Sequence, residues 1–202
     1  MTLATRDRLI QTMSSLLRSK GYGGFGVSEV LSLTSLPKGS LYHHFPGGKA
    51  ELAREATLWA SKAISRVIEK AFADASTFHA GLANAAGLIG DFVSASQSKA
   101  ESPASGEPVS GGPVSVRPVS GCPVSGILQA ESSTPDLREL AATIYGGWID
   151  QLAGHAERLN EMDAHKTATL AFMTVQGAWH LAVAQQSREP LDFLAGTFRD
   201  QA

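Results

Sequence analysis

The sequence predicts an all-α protein: a three-helix head containing a helix-turn-helix, followed by a larger helical body. Apolar residues recur at three- and four-residue spacing through nearly every segment, and no stretch alternates as a half-buried strand would. Gly and Pro punctuate these segments where helices start and stop. With 43% apolar and 18% charged residues, the chain has enough to bury a core and too little charge for a disordered one.

Thr5 to Ser19 places Leu9, Ile10, Met13, Leu16 and Leu17 on one helical face, with Arg6, Arg8 and Arg18 off it. Gly21, Gly23 and Gly24 end this helix. Ser28 is the expected N-cap of a short helix holding Val30, Leu31 and Leu33. Thr34-Ser35 make the turn, and Pro37 presets the first turn of a third helix. Pro46-Gly47-Gly48 breaks that helix. Lys49 then opens a long one to about Ala73, with Leu52, Ala56, Trp59, Ala60, Ala63, Val67 and Phe72 as its apolar residues.

A further helix is expected from Ser76 to about Lys99. The composition then changes to Pro, Ser, Gly and Val over residues 101–126, where Pro-Val-Ser recurs four times at a five-residue period, at 108–110, 113–115, 118–120 and 123–125. Such a segment lacks the large apolar residues needed to offset its ordering entropy, so a mobile loop is expected over about 101–121. Ser133 or Thr134 caps the next helix, from Pro135 to about Leu159. Ala164 to Gln186 follows, and Pro190 starts a last short helix.

The stretch of greatest chemical content is PKGSLYHHFPGGKAEL, residues 37–52. Lys38, Ser40, Tyr42, His43 and His44 surround only two large apolar residues, Leu41 and Phe45. A core helix would not carry so many hydrogen-bonding groups in two turns, whereas a helix lying on phosphates and base edges would. Singly, Lys38 or Lys49 is an ordinary solvated charge and Tyr42 a ring that packs in a core. His43 and His44 are neighbours on a helix, which are expected to point in different directions, and nothing nearby completes a metal-ligand set. No metal or other cofactor is expected. Charge is divided along the chain. Residues 1–73 carry ten Lys/Arg against five acids, whereas residues 74–202 carry seven against fourteen. A basic head on an acidic body suits a polyanion at one end. One cysteine, Cys122, and neither a signal peptide nor a run long enough for a bilayer lead to the expectation of a cytoplasmic protein with no membrane partner.

From Arg8 to Leu52, the first helix, Gly21-Tyr22, Val27-Ser28, PKGSLYHHF and the K-x-E-L of 49–52 together resemble the DNA-binding head of TetR-family transcriptional regulators. The resemblance implies a DNA-binding domain over 1–48 and a ligand-binding and dimerisation domain over 49–202. It implies phosphate contacts from Ser28, Tyr42, His43 and Lys49. Lys38, Ser40 and His44 then take major-groove positions, and Gly39 lies against the DNA backbone or a base. Ser35 departs from the Gly usual in that turn. Residues 121–152, beginning GCPVSG, resemble the C-terminal domain of the LmrA/YxaF-like subgroup.

Further implications are a homodimer formed through the last two long helices, binding to a palindromic operator, and a repressor released by a small effector. Gly146-Gly147 and Gly177-Ala178, beside Trp148, Trp179, Leu170 and Leu181, are the interface candidates, although residue by residue each is equally ordinary core. Trp59, Phe78, Phe92, Trp148, His155, Phe172, Met173, Gln176 and His180 are the candidates to line an effector pocket, which their chemistry makes apolar or aromatic. Two other classes remain open: an interaction module whose head no longer binds DNA, and an all-α enzyme. For the enzyme, Asp150, His155 and Glu157, or His180 with Cys122, are the only catalytic sets, and no nucleotide, metal or nucleophile motif supports them.

Overall fold

The computed structural model describes residues 4–101, 121–122, 124–128, 130 and 134–202. Ser133, the first three Pro-Val-Ser copies and all but the ends of the loop expected over 101–121 lie outside the described residues. Among the described residues all regular structure is helical: eight α-helices and two 3₁₀ turns.

α1 (Thr5–Lys20) buries the expected stripe of Leu9, Ile10, Met13, Leu16 and Leu17. It stops at Gly21, whose φ of 66° is open to glycine, and whose N–H donates to the Leu17 carbonyl at 3.1 Å. A 3₁₀ turn (Tyr22–Gly24) leads into α2 (Val27–Thr34). Ser28 is not the cap of this helix. Gly26 holds the N-cap position and Ser28 lies exposed in the first turn.

Ser35 ends α2 in the left-handed region at φ 51°, with its N–H on the Ser32 carbonyl and the Leu36 N–H on the Leu31 carbonyl. This is the turn geometry in which glycine avoids a Cβ clash. Ser35→Gly is therefore expected to stabilise the protein by about 0.5–1 kcal/mol. A thermal melt showing no gain would mean that the serine hydroxyl compensates for the strained backbone.

α3 (Lys38–His44) sits on the head through Leu41, 0% exposed, and Phe45, 1% exposed. α4 (Gly48–Phe72) begins at Gly48, φ 67°, and the Glu51 carboxylate accepts the Gly47 N–H at 2.7 Å, closing its first turn. The start of α4 buries Leu52, Ala53 and Ala56 and packs on α1, and its far end buries Ile68, Ala71 and Phe72 in the body.

In the body, α5 (Phe78–Glu101) packs on α4 and on α8 (Glu189–Arg199), while α6 (Pro135–Arg158) pairs with α7 (Ala164–Gln185) and touches α4. A second 3₁₀ turn (Ser125–Ile127) buries Ile127 and rests on α1. One buried apolar cluster runs from Leu9 through α4 to Phe198. The boundary at residue 48 thus marks the start of a helix shared by head and body, not a gap in packing.

Candidate nucleic-acid interface

The short α3 is amphipathic by necessity: Leu41 and Phe45, four residues apart, fix one face to the head. The Arg6 guanidinium stands over the Phe45 ring, 5.4 Å from its centroid, and pairs with Glu55 of α4 at 2.6 Å. The other face is left to solvent. Lys38, Gly39, Tyr42 and His43 are exposed, Ser40 and His44 are half-buried, and Ser28 of α2 is exposed. Lys38 Nζ lies 5.9 Å from the Tyr42 ring centroid, and the His43 and His44 rings meet edge to face at 5.0 Å. The result is a compact patch of donors and rings on one rigid helix. A Cβ built on Gly39 would meet no atom within 4 Å, so nothing inside the chain calls for a glycine there.

Lys49 occupies a different place from the one the resemblance implied. Its ammonium donates to the carbonyls of Tyr22 and Phe25, each at 2.6 Å, and lies over both rings, 4.3 and 4.6 Å from their centroids. It is a clamp between α4 and the α1–α2 connection, giving the Tyr22 and Phe25 carbonyls a charged donor. Only the geometry around Tyr22 and Phe25 shows this, because a lysine at a helix start reads in sequence as an exposed charge. Lys49→Ala is expected to cost about 2 kcal/mol of stability, since two charge-assisted hydrogen bonds are lost. An unchanged unfolding midpoint with weaker DNA binding would instead return Lys49 to phosphate contact.

Between α4, α5, α6 and α7 lies an apolar cavity of about 50 Å³, walled by Ile64, Ile68, Ile89, Trp148, Phe172 and Trp179 among others, with Gln176 at its edge. Of the nine pocket candidates, the structure gathers Trp148, Phe172 and Gln176 here and places the other six elsewhere. Trp59 and Met173 are 43% and 60% exposed, each on a helix face turned from the cavity. Phe78 packs on Phe72 in the core, and His155 also stacks on Phe72, 4.7 Å from its ring centroid. Phe92 carries the Arg18 guanidinium at 5.4 Å, and His180 is exposed, with Nδ1 2.7 Å from the Gln176 carbonyl. Ile64, Val67, Ile68, Leu82, Ala85, Ile89, Leu152, Val175 and Trp179 line the cavity without having been pocket candidates. Aliphatic residues at core spacing carry no signal that separates a cavity wall from ordinary packing.

Beside the cavity, Cys122, Ser125, Tyr145 and Gln176 form a polar cluster, with Ser125 Oγ 3.0 Å from the Tyr145 hydroxyl. Burial pushes the Cys122 thiol up and the Tyr145 phenol to about 12, so both stay neutral near pH 7. A neutral, buried thiol is a poor nucleophile. The set of Asp150, His155 and Glu157 does not assemble: Asp150 faces His165 at 3.7 Å, while His155 lies 3.5 Å from Glu69. Trp148 and Trp179, 3% and 4% exposed, belong to the interior and not to an outer face.

Comparison with known proteins accords with this geometry. Residues 9–56 match the family of bacterial regulatory proteins of the tetR family, and residues 117–197 match the C-terminal domain of LmrA/YxaF-like transcriptional regulators. The HTH-type transcriptional regulator YxaF of Bacillus subtilis is 36% identical over 72 residues, which is 36% of this chain and 38% of that protein. An HTH-type transcriptional regulator of Mycobacterium tuberculosis is 26% identical over 96% of this chain and 92% of its own length. Among solved structures, a TetR transcriptional regulator from Chloroflexus aurantiacus superposes with a TM-score of 0.71 at 22% identity, covering 96% of this chain and 91% of that one. A cysteine mutant of the regulator CifR, complexed with 26-bp double-strand operator DNA, superposes at 0.74 with 19% identity, covering 98% and 96%.

Proposed function

The chain belongs to the TetR family of transcriptional regulators, and from that premise we propose that it is a homodimeric repressor released from a palindromic operator by a small apolar or aromatic molecule. The observation that carries this reading is the outward face of α3, where Lys38, Gly39, Tyr42 and His43 stand exposed on a helix anchored by Leu41 and Phe45. On this reading Tyr42, His43 and Ser28 take phosphates, and Lys38, Ser40 and His44 face base edges with Gly39 in close approach. Residues 1–48 read DNA, and residues 49–202 bind the effector and the second subunit. Both matched families are of regulators, not enzymes.

A short recognition helix reads few base pairs, so a second copy is needed for useful specificity. The outer face of α7 supports one. Leu170, Met173 and Leu181 are 55, 60 and 53% exposed, and Gly177 lies on the same side with open space where a Cβ would stand. Gly147 and Gly154 of α6 are open in the same way. A contiguous exposed apolar strip of this kind marks an interface.

Effector release follows from the size of the cavity. At about 50 Å³ it is closed to anything larger than a few atoms, so a ligand must move a wall. Ile64, Val67 and Ile68 of that wall belong to α4, whose start carries the head through Leu52, Ala53 and Ala56. A ligand that binds only the opened body thereby favours a second head position. No helix of the described residues is long and apolar enough to cross a membrane.

The test is fluorescence anisotropy with duplex from upstream of the gene against scrambled duplex at two salt concentrations, with light scattering on the same protein. Tight, sequence-dependent binding by a dimer is expected, and Leu170→Glu with Leu181→Glu should yield monomers that bind weakly. Equal weak binding to both duplexes, or a monomer in the unsubstituted protein, would contradict the reading.

A further inference from the structure

The seam between α4 and α6 is polar where it borders the apolar cavity. Ser65, Glu69 and Phe72 of α4 meet Gln151, His155 and Arg158 of α6, each trio spaced by four and then three residues along one side of its helix. Gln151 Nε2 donates to the Ser65 carbonyl at 3.0 Å and to the Glu69 carboxylate at 2.6 Å. One turn on, His155 stacks on the Phe72 ring with its Nε2 3.5 Å from Glu69 Oε1. Arg158 Nη2 then donates to the Phe72 carbonyl at 2.8 Å, in the last turn of α4, where a cation suits the helix dipole.

The neighbours of these residues line the cavity: Ile64 and Ile68 on α4, Trp148 and Leu152 on α6. An aliphatic wall yields gradually, whereas directional bonds along one seam weaken steeply and together when α4 leaves α6. Water already reaches the groups that make them. The Glu69 side chain is 60% exposed and Arg158 lies at the surface. Their bonds exchange for bonds to water, so the seam favours the closed body only modestly, by about tenfold in all. A hold of that size is one a ligand can overcome.

We propose that Gln151 and Arg158 are a latch that keeps α4 on α6 and the apolar cavity closed, and so set how readily an effector enters. The proposal rests on the reading of that cavity as the effector site. Since α4 carries the head, the same bonds favour the head position of the unliganded chain. A ligand that needs the opened body binds more weakly than its intrinsic affinity, in proportion to the fraction of molecules that are open. Removing the latch should therefore tighten binding, the reverse of what the loss of a ligand contact does.

The experiment titrates the full chain, without DNA, with N-phenyl-1-naphthylamine, a neutral probe too large for the closed cavity that brightens in apolar surroundings. Gln151→Met and Arg158→Met should each bind it about threefold tighter than the unsubstituted chain, and the double variant about tenfold tighter. Leu152→Trp, which fills the cavity, should abolish binding in the double variant. Leu194→Ala, which destabilises the protein through the buried face of α8 without touching the seam, should leave the affinity within about twofold. Circular dichroism and a cooperative melt establish that each variant is folded, and the two single variants decide by the same comparison if the double one is not.

Equal or weaker binding by the latch variants, still lost on adding Leu152→Trp, overturns the latch and leaves the cavity as the effector site. Tightening by the same factor in Leu194→Ala also overturns it, since general loosening would then suffice. Binding that Leu152→Trp does not affect, or binding in no variant, overturns the latch together with the reading of the cavity on which it rests.

Discussion

Gly126→Ala is expected to lower stability by about 3 kcal/mol, a fall of roughly 6–12 °C in the unfolding midpoint for a chain of this size. A Cβ at residue 126 would lie 2.2 Å from the Leu17 carbonyl oxygen and 2.8 Å from its carbon. These are backbone atoms inside α1, and the same oxygen already accepts the Gly21 N–H at 3.1 Å, so the helix end cannot swing aside. Relief must come from lifting the 3₁₀ turn, which would uncover Val124 and Ile127, both 0% exposed. The head and body touch at this point, so the variant should also be cleaved sooner by protease between α1 and the 121–128 segment. Gly87→Ala is the control, because a Cβ there meets nothing within 4 Å and alanine favours the helix. Equal midpoints for Gly126→Ala and the unsubstituted chain would show that the turn does not rest on α1 in solution.

The helices were legible because local chemistry marks their ends. Pro37, Pro46-Gly47, Pro135 and Pro190 each stand within two residues of an observed boundary, and the stripe Leu9 to Leu17 is the buried face of α1. The outward face of α3 was legible for a related reason: Leu41 and Phe45 leave only one way for a two-turn helix to sit. The destination of long side chains was not. Lys49, taken singly, reads as a solvated charge and Arg18 only as a residue off the apolar face of α1, yet one clamps two carbonyls and the other lies over Phe92. A flexible stem lets a charge reach places that spacing does not specify. The cavity wall was hidden because a body helix is apolar on several sides. Which side of Trp59, Trp148 or Met173 faces inward depends on three neighbouring helices, not on the period of its own. Ser28 was misread as a cap because Gly26, with no side chain to signal the role, holds that position.

Gly39→Ala is expected to keep the head at least as stable, with a gain of up to about 0.5 kcal/mol, while lowering affinity for the operator duplex by about tenfold or more. The two effects separate because the glycine has no intrachain reason to be there. At Gly48 the backbone needs φ 67°, and at Gly126 a Cβ would strike α1, but Gly39 is exposed with no atom within 4 Å of a Cβ. A glycine near the start of a seven-residue helix costs backbone entropy that alanine would spare. What the missing side chain provides must lie outside the chain: room for a surface to come against the backbone of α3 between Lys38 and Ser40. An added methyl would hold the helix away from a groove floor or sugar edge and lengthen its neighbours' contacts together. No charge is removed, so the affinity lost should be the same at low and high salt, whereas losing a phosphate-binding cation would flatten the salt dependence. Affinity within twofold of the unsubstituted protein would mean that α3 does not approach DNA through this edge, and the orientation of the helix on its operator would have to be reversed.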